Sequence, residues 1–172
     1  MRDRAPFFKR AYARGEIPMR VTHNDTKCNN VMFDRDTKEP LAVIDLDTVM
    51  PGFTAYDYGD AVRFAANTAA EDEPDTSKVS LDLRLCRAFT DGFVGKIRDR
   101  LRPEEVNTLP DGLLLITLEL AARFLTDYLD GDRYFKIRTG DHNLVRARNQ
   151  IALAQDICRK MDNLREIVAQ QA

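Results

Sequence analysis

The sequence predicts an α+β chain that is mostly α-helical, with a small β region in its first third. Two observations lead to this prediction. Between residues 17 and 52, short apolar segments alternate with turn residues, as they do in paired strands. From Tyr56 onward, apolar residues recur every three or four positions, the spacing of helices with one buried face. We expect residues 1–172 to form one lobe, in which a helical body follows the β region.

A first helix is predicted over residues 3–14, because Gly15 follows it in a position typical of a helix C-cap. Pro18 is incompatible with a helix interior and disfavours helical geometry in the residue before it. Residues 17–23 are therefore expected to be extended.

A β-hairpin is predicted next, since the apolar segments 31–33 and 41–44 flank a polar turn over residues 34–39. The Met-Pro-Gly segment at residues 50–52 predicts a loop that ends the β region.

Helical periodicity governs the remainder of the chain, with an acidic loop at residues 71–78 and a short helical turn opened by Pro103. Ser80 is a plausible N-cap for the second of the long helices, and Gly131 ends the third. The predicted long helices cover residues 57–69, 80–101, 111–129 and about 142–170.

Composition excludes several classes of protein. The net charge of −2, with basic and acidic residues interleaved, offers no electrostatic surface for nucleic acid. No apolar run approaches the roughly 18 residues of a membrane span, and the charged first 15 residues predict no signal peptide. The cysteines, Cys28, Cys86 and Cys158, show no CxxC spacing, so we expect neither a disulfide framework nor a zinc site, and a cytoplasmic location.

Three polar side chains concentrate the candidate chemistry: Asp25, Asn30 and Asp45. A hairpin would bring all three to one end of the small sheet. Asn and Asp oxygens suit Mg²⁺, which takes further ligands from substrate phosphates, and a third carboxylate can accept a proton from a hydroxyl. A single Asx residue in a loop usually caps a helix or makes a turn. The joint pattern is more specific, because His23, Asp25 and Asn30 have the spacing of the kinase catalytic loop.

For the residues near Asp25, the sequence leaves a structural role and a catalytic role to be weighed. Lys27 is either a solvated loop residue or a group that stabilises the charge of a transferring phosphoryl group. His23 is expected to fix the loop by hydrogen bonding more than to move protons. Cys28 has no histidine at motif spacing, which argues against a nucleophilic thiol.

Four segments together resemble the aminoglycoside phosphotransferase superfamily, and within it the N-acetylhexosamine 1-kinases. They are VTHNDTKCNNVMFD (21–34), VIDLDTVMPG (43–52), YDYGDAVRF (56–64) and RFLTDYLDGDRYF (123–135). The resemblance implies the C-terminal, helical lobe of a protein-kinase-like fold. It also implies ATP-dependent phosphorylation of the anomeric hydroxyl of GlcNAc or GalNAc.

The same resemblance implies roles for individual residues. Asp25 would be the catalytic base, and Asn30 and Asp45 would hold Mg²⁺. Asp47, in the same Asp-Leu-Asp turn, would support the metal without binding it directly. Arg123 and Tyr134 would face the hexosamine.

Arg123 also has a purely structural interpretation. The helix over residues 111–129 is apolar almost all round and is expected to be buried, so a charged side chain within it needs a partner. Glu119 and Asp127, four residues to either side, are candidates for that ion pair.

One part of the kinase pattern is missing. Such enzymes need a glycine-rich turn over the phosphates and a strand lysine, both upstream of the catalytic loop. Here 24 residues precede Asp25, and Gly15 and Lys9 are their only glycine and lysine. We expect a domain cut from a longer protein rather than a natural truncation, lacking the N-terminal nucleotide-clamping lobe and inactive by itself.

Three alternatives remain open. Another acceptor of the superfamily, such as choline, homoserine or an aminoglycoside, would suit the acidic loop at 71–75. A non-catalytic, pseudokinase-like module would bind a sugar or a protein without turnover. A glycosyltransferase would use Asp45 and Asp47 as a metal-binding DxD, but it needs a nucleotide-binding domain before that motif.

Overall fold

The computed structural model describes residues 6–171, and the fold is α+β and mostly α, which confirms the predicted class. Part of the predicted first helix, residues 3–5, lies outside the described range. In chain order the elements are α1 (Phe7–Ala13), β1 (Arg20–Thr22), β2 (Val31–Phe33), β3 (Pro40–Val43), β4 (Met50–Gly52), α2 (Thr54–Ala65), α3 (Leu83–Ile97), α4 (Pro103–Asn107), α5 (Leu109–Leu129), α6 (His142–Arg159) and α7 (Met161–Ala169).

The strands form two separate antiparallel pairs. The hairpin of β2 and β3 is the predicted one, with Val31 opposite Val43. The loop predicted over residues 50–52 is wrong, because these residues form β4 and pair with β1. Pro51 lies opposite Val21 in this pair, and a two-stranded sheet tolerates proline because each strand has an unpaired edge.

The helical body is built around α5, which packs most extensively against α6 and α2. Two glycines allow α2 and α5 to approach closely. A Cβ on Gly59 would lie 2.8 Å from the backbone of Gly112, and a Cβ on Gly112 would lie 2.2 Å from the carbonyl oxygen of Ala55. The close α2–α5 contact therefore requires glycine at both positions.

Several helix boundaries differ from the prediction: α2, predicted over residues 57–69, spans Thr54–Ala65, and two other differences have a clear cause. Helix α3 begins after Asp82, whose carboxylate accepts the N–H groups of Arg84 and Leu85, and not at Ser80. The hydroxyl of Ser80 donates to Asp156 instead, at 2.9 Å. The predicted last helix is interrupted at Lys160, where α6 ends and α7 begins.

The hairpin of β2 and β3 is poorly covered by the rest of the chain. Every residue of β3 is exposed, as are Met32 and Phe33 in β2. Exposure continues through Ile44 and Leu46 beyond the hairpin. Within residues 6–171, no helix is long and apolar enough to cross a membrane.

Candidate active site

Helix α2 holds the loop that carries the kinase-like motif. The two carboxylate oxygens of Asp57, in the first turn of α2, accept the backbone N–H groups of His23 and Asn24, both at 2.8 Å. The hydroxyl of Thr26 donates to the carbonyl oxygen of Asp57 at 2.6 Å. Burial raises the pKa of Asp57 above its usual value, since the two N–H bonds only partly offset the loss of water.

Sequence reasoning assigned no role to Asp57. An aspartate in the first turn of a helix usually serves that helix, and only the tertiary structure shows that its acceptors face another segment. The Tyr-Asp-Tyr-Gly-Asp segment contributed to the family resemblance, but the sequence did not show that its first aspartate holds the loop of Asp25.

The turn Leu46–Thr48, which precedes β4, holds the other side of the loop. Asn24 has a left-handed backbone (φ 64°), and its side-chain amide donates to the carbonyl of Thr48 at 3.0 Å. The Thr48 hydroxyl returns a 2.6 Å bond to the carbonyl of His23. Gly52 allows this packing, because a Cβ there would lie 2.4 Å from the Thr22 hydroxyl oxygen.

One of the two carboxylate oxygens of Asp25 is hydrogen-bonded within the protein. Its Oδ2 accepts a 2.6 Å bond from the Lys27 ammonium and a 2.8 Å bond from the Asn30 side-chain amide. Its Oδ1 receives no hydrogen bond from the described part of the chain. Burial alone would raise the pKa of Asp25, but these two hydrogen bonds and the Lys27 charge outweigh it and hold the pKa below its usual value. Asp25 is therefore ionised at neutral pH, with one oxygen available as an acceptor.

His23 fixes the loop, in agreement with the expectation. Its Nδ1 accepts the N–H of Asp25 at 3.3 Å, so Nδ1 is unprotonated and Nε2 donates to the carbonyl of Ile44 at 3.0 Å. Both ring nitrogens are thus engaged by backbone groups.

The two proposed magnesium residues lie at the same end of the hairpin. The N–H of Ile44 donates to the carbonyl of Asn30 at 2.9 Å, which sets Asp45 just beyond the strand pairing. Asn30 is buried, and its amide nitrogen faces two acceptors of Asp25, so the opposite side of the amide group carries Oδ1. Asp45 is exposed and has a left-handed backbone (φ 64°). Neither Asn30 Oδ1 nor the Asp45 carboxylate has a hydrogen-bond partner among residues 6–171.

These oxygens fit Mg²⁺, which in phosphoryl-transfer sites takes only one or two protein ligands and keeps phosphates and waters in the other positions. In the described chain there is no cluster of three or more His, Cys, Asp or Glu side chains that could hold a metal. A metal at this end of the hairpin would therefore depend on ligands from a bound nucleotide. Asp47 is exposed in the turn Leu46–Thr48, and no hydrogen bond of the described residues joins its carboxylate to Asn30 or Asp45.

Lys27 is more engaged than a solvated loop lysine. About a third of its side chain is exposed, and its ammonium forms the ion pair with Asp25. The ammonium lies against Oδ2 of Asp25 and so places a positive charge beside the carboxylate whose Oδ1 is open.

Arg123 and Tyr134 come together in a different place, an open pocket of about 480 Å³ beside the C-terminal half of α5. The Arg123 guanidinium lies 5.6 Å from the centroid of the Tyr134 ring, and its Nη2 is 3.5 Å from the Tyr134 hydroxyl. The charged and aromatic residues of the pocket are Glu119, Arg123, Asp127, Asp130, Tyr134 and Phe135.

The expected burial of α5 on all sides is wrong, because Arg123 and Leu129 are exposed on its outer face. The ion pair that the structural interpretation of Arg123 offered, with Glu119 or Asp127, is not formed. In the described range no carboxylate lies within ion-pair distance of Arg123, and Asp127 is occupied by backbone N–H groups of residues 133–135.

No hydrogen bond or ion pair of the described residues joins Arg123 or Tyr134 to the loop of Asp25. The connection is indirect, through α2 and α5. Burial, followed by the charge of Glu119 in the pocket, raises the pKa of Tyr56 to about 12, and Tyr56 directly precedes the loop anchor Asp57.

A family model described as "Phosphotransferase enzyme family" matches residues 3–92, more than half of the chain. The match covers the loop of Asp25, the hairpin, α2 and most of α3. The chain belongs to this family. This match confirms the superfamily that the sequence resembles. Phosphotransferases of this kind are kinases that use ATP and a small-molecule acceptor. The matched range ends before α5, so the pocket of Arg123 and Tyr134 is not covered by it.

Proposed function

We propose that this chain is the catalytic and acceptor-binding lobe of an ATP-dependent sugar kinase. Its acceptor would be the anomeric hydroxyl of an N-acetylhexosamine, GlcNAc or GalNAc. The observation that carries the catalytic part is the state of Asp25: its Oδ2 accepts bonds from Lys27 and Asn30, and its Oδ1 has no donor among residues 6–171.

In this proposal Asp25 Oδ1 accepts the proton of the attacking hydroxyl. A pKa below the usual range keeps the carboxylate ionised, which favours binding and orienting the hydroxyl, with full proton transfer late in the reaction. Lys27 keeps this carboxylate in place, and its ammonium adds positive charge where the phosphoryl group passes.

Asn30, through Oδ1, and Asp45 would hold Mg²⁺, with Asp47 as an outer acidic residue that supports it. When bound, the ion supplies charge neutralisation on the phosphates of ATP. The left-handed backbone of Asp45 fits this role, because unusual backbone conformations concentrate at functional sites and aspartate tolerates this one.

Arg123 and Tyr134 would bind the sugar. A guanidinium can donate two hydrogen bonds to neighbouring sugar oxygens, and a tyrosine offers a hydroxyl together with an apolar ring face. Both side chains are exposed and adjacent, and in the part of the chain that the structure describes no carboxylate forms an ion pair with Arg123. The choice of N-acetylhexosamine rests on the sequence resemblance in this segment.

A nucleotide-binding lobe of a longer protein would cover the exposed hairpin. Leu41 and Val43 in β3 are more than half exposed, and Phe33 in β2 is as well. This apolar surface adjoins Asn30 and Asp45, where ATP would have to be clamped from the other side. The chain alone is then expected to fold without measurable kinase activity, and we propose that the protein acts in the cytoplasm.

A cationic acceptor such as choline or an aminoglycoside is the second candidate, because Glu119 and Asp130 line the pocket beside the Tyr134 ring. The acidic loop no longer favours it. Glu71 pairs with Arg63, Asp72 lies near His142 and Arg138, and Glu73 pairs with Lys78. These internal contacts explain the loop charges without a ligand.

The test is an acceptor assay on a two-lobed protein that includes this chain. GlcNAc, GalNAc, choline, homoserine and kanamycin would each be supplied with Mg²⁺ and ATP, and ADP release would be measured. We expect turnover with the hexosamines and a product phosphate that mild acid removes, as anomeric phosphates require. Turnover with choline or kanamycin alone would overturn the sugar assignment. Calorimetric binding of GlcNAc without ADP release would favour a non-catalytic module.

A further inference from the structure

A buried carboxylate that the proposed chemistry does not use lies beside the acceptor pocket. Asp127, in the last turns of α5, is 7% exposed. Its Oδ1 accepts the backbone N–H groups of Arg133 at 2.9 Å and Tyr134 at 2.8 Å. Its Oδ2 accepts the N–H of Phe135 and the side-chain amide of Asn143, both at 2.9 Å.

These four bonds shape the segment that follows α5. Gly131 (φ 86°) and Asp132 (φ 57°) reverse the chain, and three consecutive N–H groups then converge on the one carboxylate. Asn143 of α6 adds a second connection, since its amide also donates to Asp132 Oδ1 at 2.8 Å. The segment over residues 131–135 is therefore tied to both α5 and α6.

Tyr134 gets its position from this arrangement and from little else. Its side chain is 74% exposed, so packing does not hold it. Its contacts are the Arg123 guanidinium and the edge of the Phe135 ring. The backbone bond from Tyr134 to Asp127 fixes where the side chain leaves the loop, and hence fixes its distance from Arg123.

We propose that Asp127 is a positioning residue of the acceptor pocket. By collecting the N–H groups of residues 133–135, it sets Tyr134 against Arg123 in a geometry ready for a neutral sugar. The inference rests on the proposed function only in naming the ligand.

The Asp127→Asn substitution tests this proposal with almost no change in volume. Each oxygen of Asp127 accepts two donors, so an asparagine in either orientation would point its NH₂ at two N–H groups. The milder Asp132→Gly keeps the left-handed backbone and removes only the Asn143 bond. Asp82→Asn is the matched control, because Asp82 also accepts two backbone N–H groups, but at the start of α3.

The experiment uses the 172-residue chain with two readouts: NMR contacts between the Tyr134 ring and the Arg123 side chain, and titration with GlcNAc. In Asp127→Asn we expect loss of those contacts and at least a tenfold weaker GlcNAc affinity. Asp132→Gly should show a smaller change in the same direction, and Asp82→Asn neither change, whatever its melting temperature.

The two proposals fail in different ways. If the wild-type chain does not bind GlcNAc, the sugar assignment fails, while the NMR contacts still judge Asp127. If the contacts and the affinity survive in folded Asp127→Asn, the positioning role is overturned. If Asp127→Asn does not fold, Asp127→Ala decides, because it removes the acceptor without adding a donor, and unchanged contacts and GlcNAc affinity in that variant reject the proposal.

Discussion

The β region and the helical body of this chain differ in how well each is covered. In the body, Leu113 and Val62 are completely buried, and α2 meets α5 through glycines at backbone distance. In the hairpin, β3 has no buried residue. The loop of Asp25 lies between the two, and Asp57 ties it to the body. The proposed base is thus held by the buried core, whereas the proposed metal residues lie beside the exposed hairpin.

The largest effect is expected at the proposed base, Asp25. In a two-lobed protein, Asp25→Asn should lower kcat by on the order of 10²–10⁴, the usual contribution of a positioned general base. Binding of ATP and of GlcNAc should change far less, because Asn30 and the body are untouched. Steady-state kinetics measure both.

Asp36→Asn, in the exposed turn of the hairpin, is the control for this loss and should be neutral. Near-full turnover in Asp25→Asn would mean that Asp25 is not the catalytic base.

Stability should separate the two regions almost as sharply. Leu113→Ala in the body should lower the free energy of unfolding by about 2–5 kcal/mol, since a fully buried leucine leaves a cavity. Phe33→Ala should cost no more than about 0.5 kcal/mol in the 172-residue chain, because its ring is 54% exposed. Urea unfolding measures both values.

The same pair of variants in a two-lobed protein sharpens the comparison. If a second lobe covers the hairpin, Phe33→Ala should become costly there. A large loss for Phe33→Ala in the isolated chain would show that the hairpin is already part of the core.

The sequence predicted the features that depend on local patterns. Alternating apolar and turn residues gave the hairpin, and helical spacing gave the long helices to within a few residues. The motif from His23 to Asn30 identified the loop, whose internal contacts do join Asp25, Lys27 and Asn30. How far these contacts serve catalysis stays a prediction.

The features it missed depend on distant partners. Strand β4 contains Pro51 and Gly52, which signal a loop unless β1 is known to lie alongside. The break at Lys160 has no glycine or proline, and its ammonium donates to the carbonyl of Leu81, far away in sequence. Arg123 was expected to be buried because α5 is apolar, but one face of that helix is exposed among residues 6–171.

A smaller effect, on Mg²⁺-dependent nucleotide binding, should distinguish Asp45 from Asp47. Asp45→Asn keeps a residue that tolerates the left-handed backbone and removes the charge, so it should weaken Mg²⁺-dependent nucleotide binding about tenfold in a two-lobed protein. Asp47→Asn is the same change two residues away and should have much less effect. Equal effects, or none, in Mg²⁺ titrations would remove the metal assignment from Asp45.

The smallest expected effect is a pH dependence confined to the helical body. Asp156 of α6 is 6% exposed and accepts bonds from the Leu81 N–H and the Lys160 ammonium. Burial acts to raise its pKa, but these donors outweigh it and lower the pKa to about 2. A folded pKa below the unfolded value means that the carboxylate stabilises the fold above about pH 4 and loses this contribution as the pH falls toward 2.

Asp156→Asn should therefore cost about 1 kcal/mol at neutral pH, and the gap to wild type should close between pH 4 and 2. Asp162→Asn, on the exposed face of α7, should show no such gap in urea unfolding at a series of pH values. A gap that persists unchanged at pH 2 would mean that Asp156 contributes through packing and not through its charge.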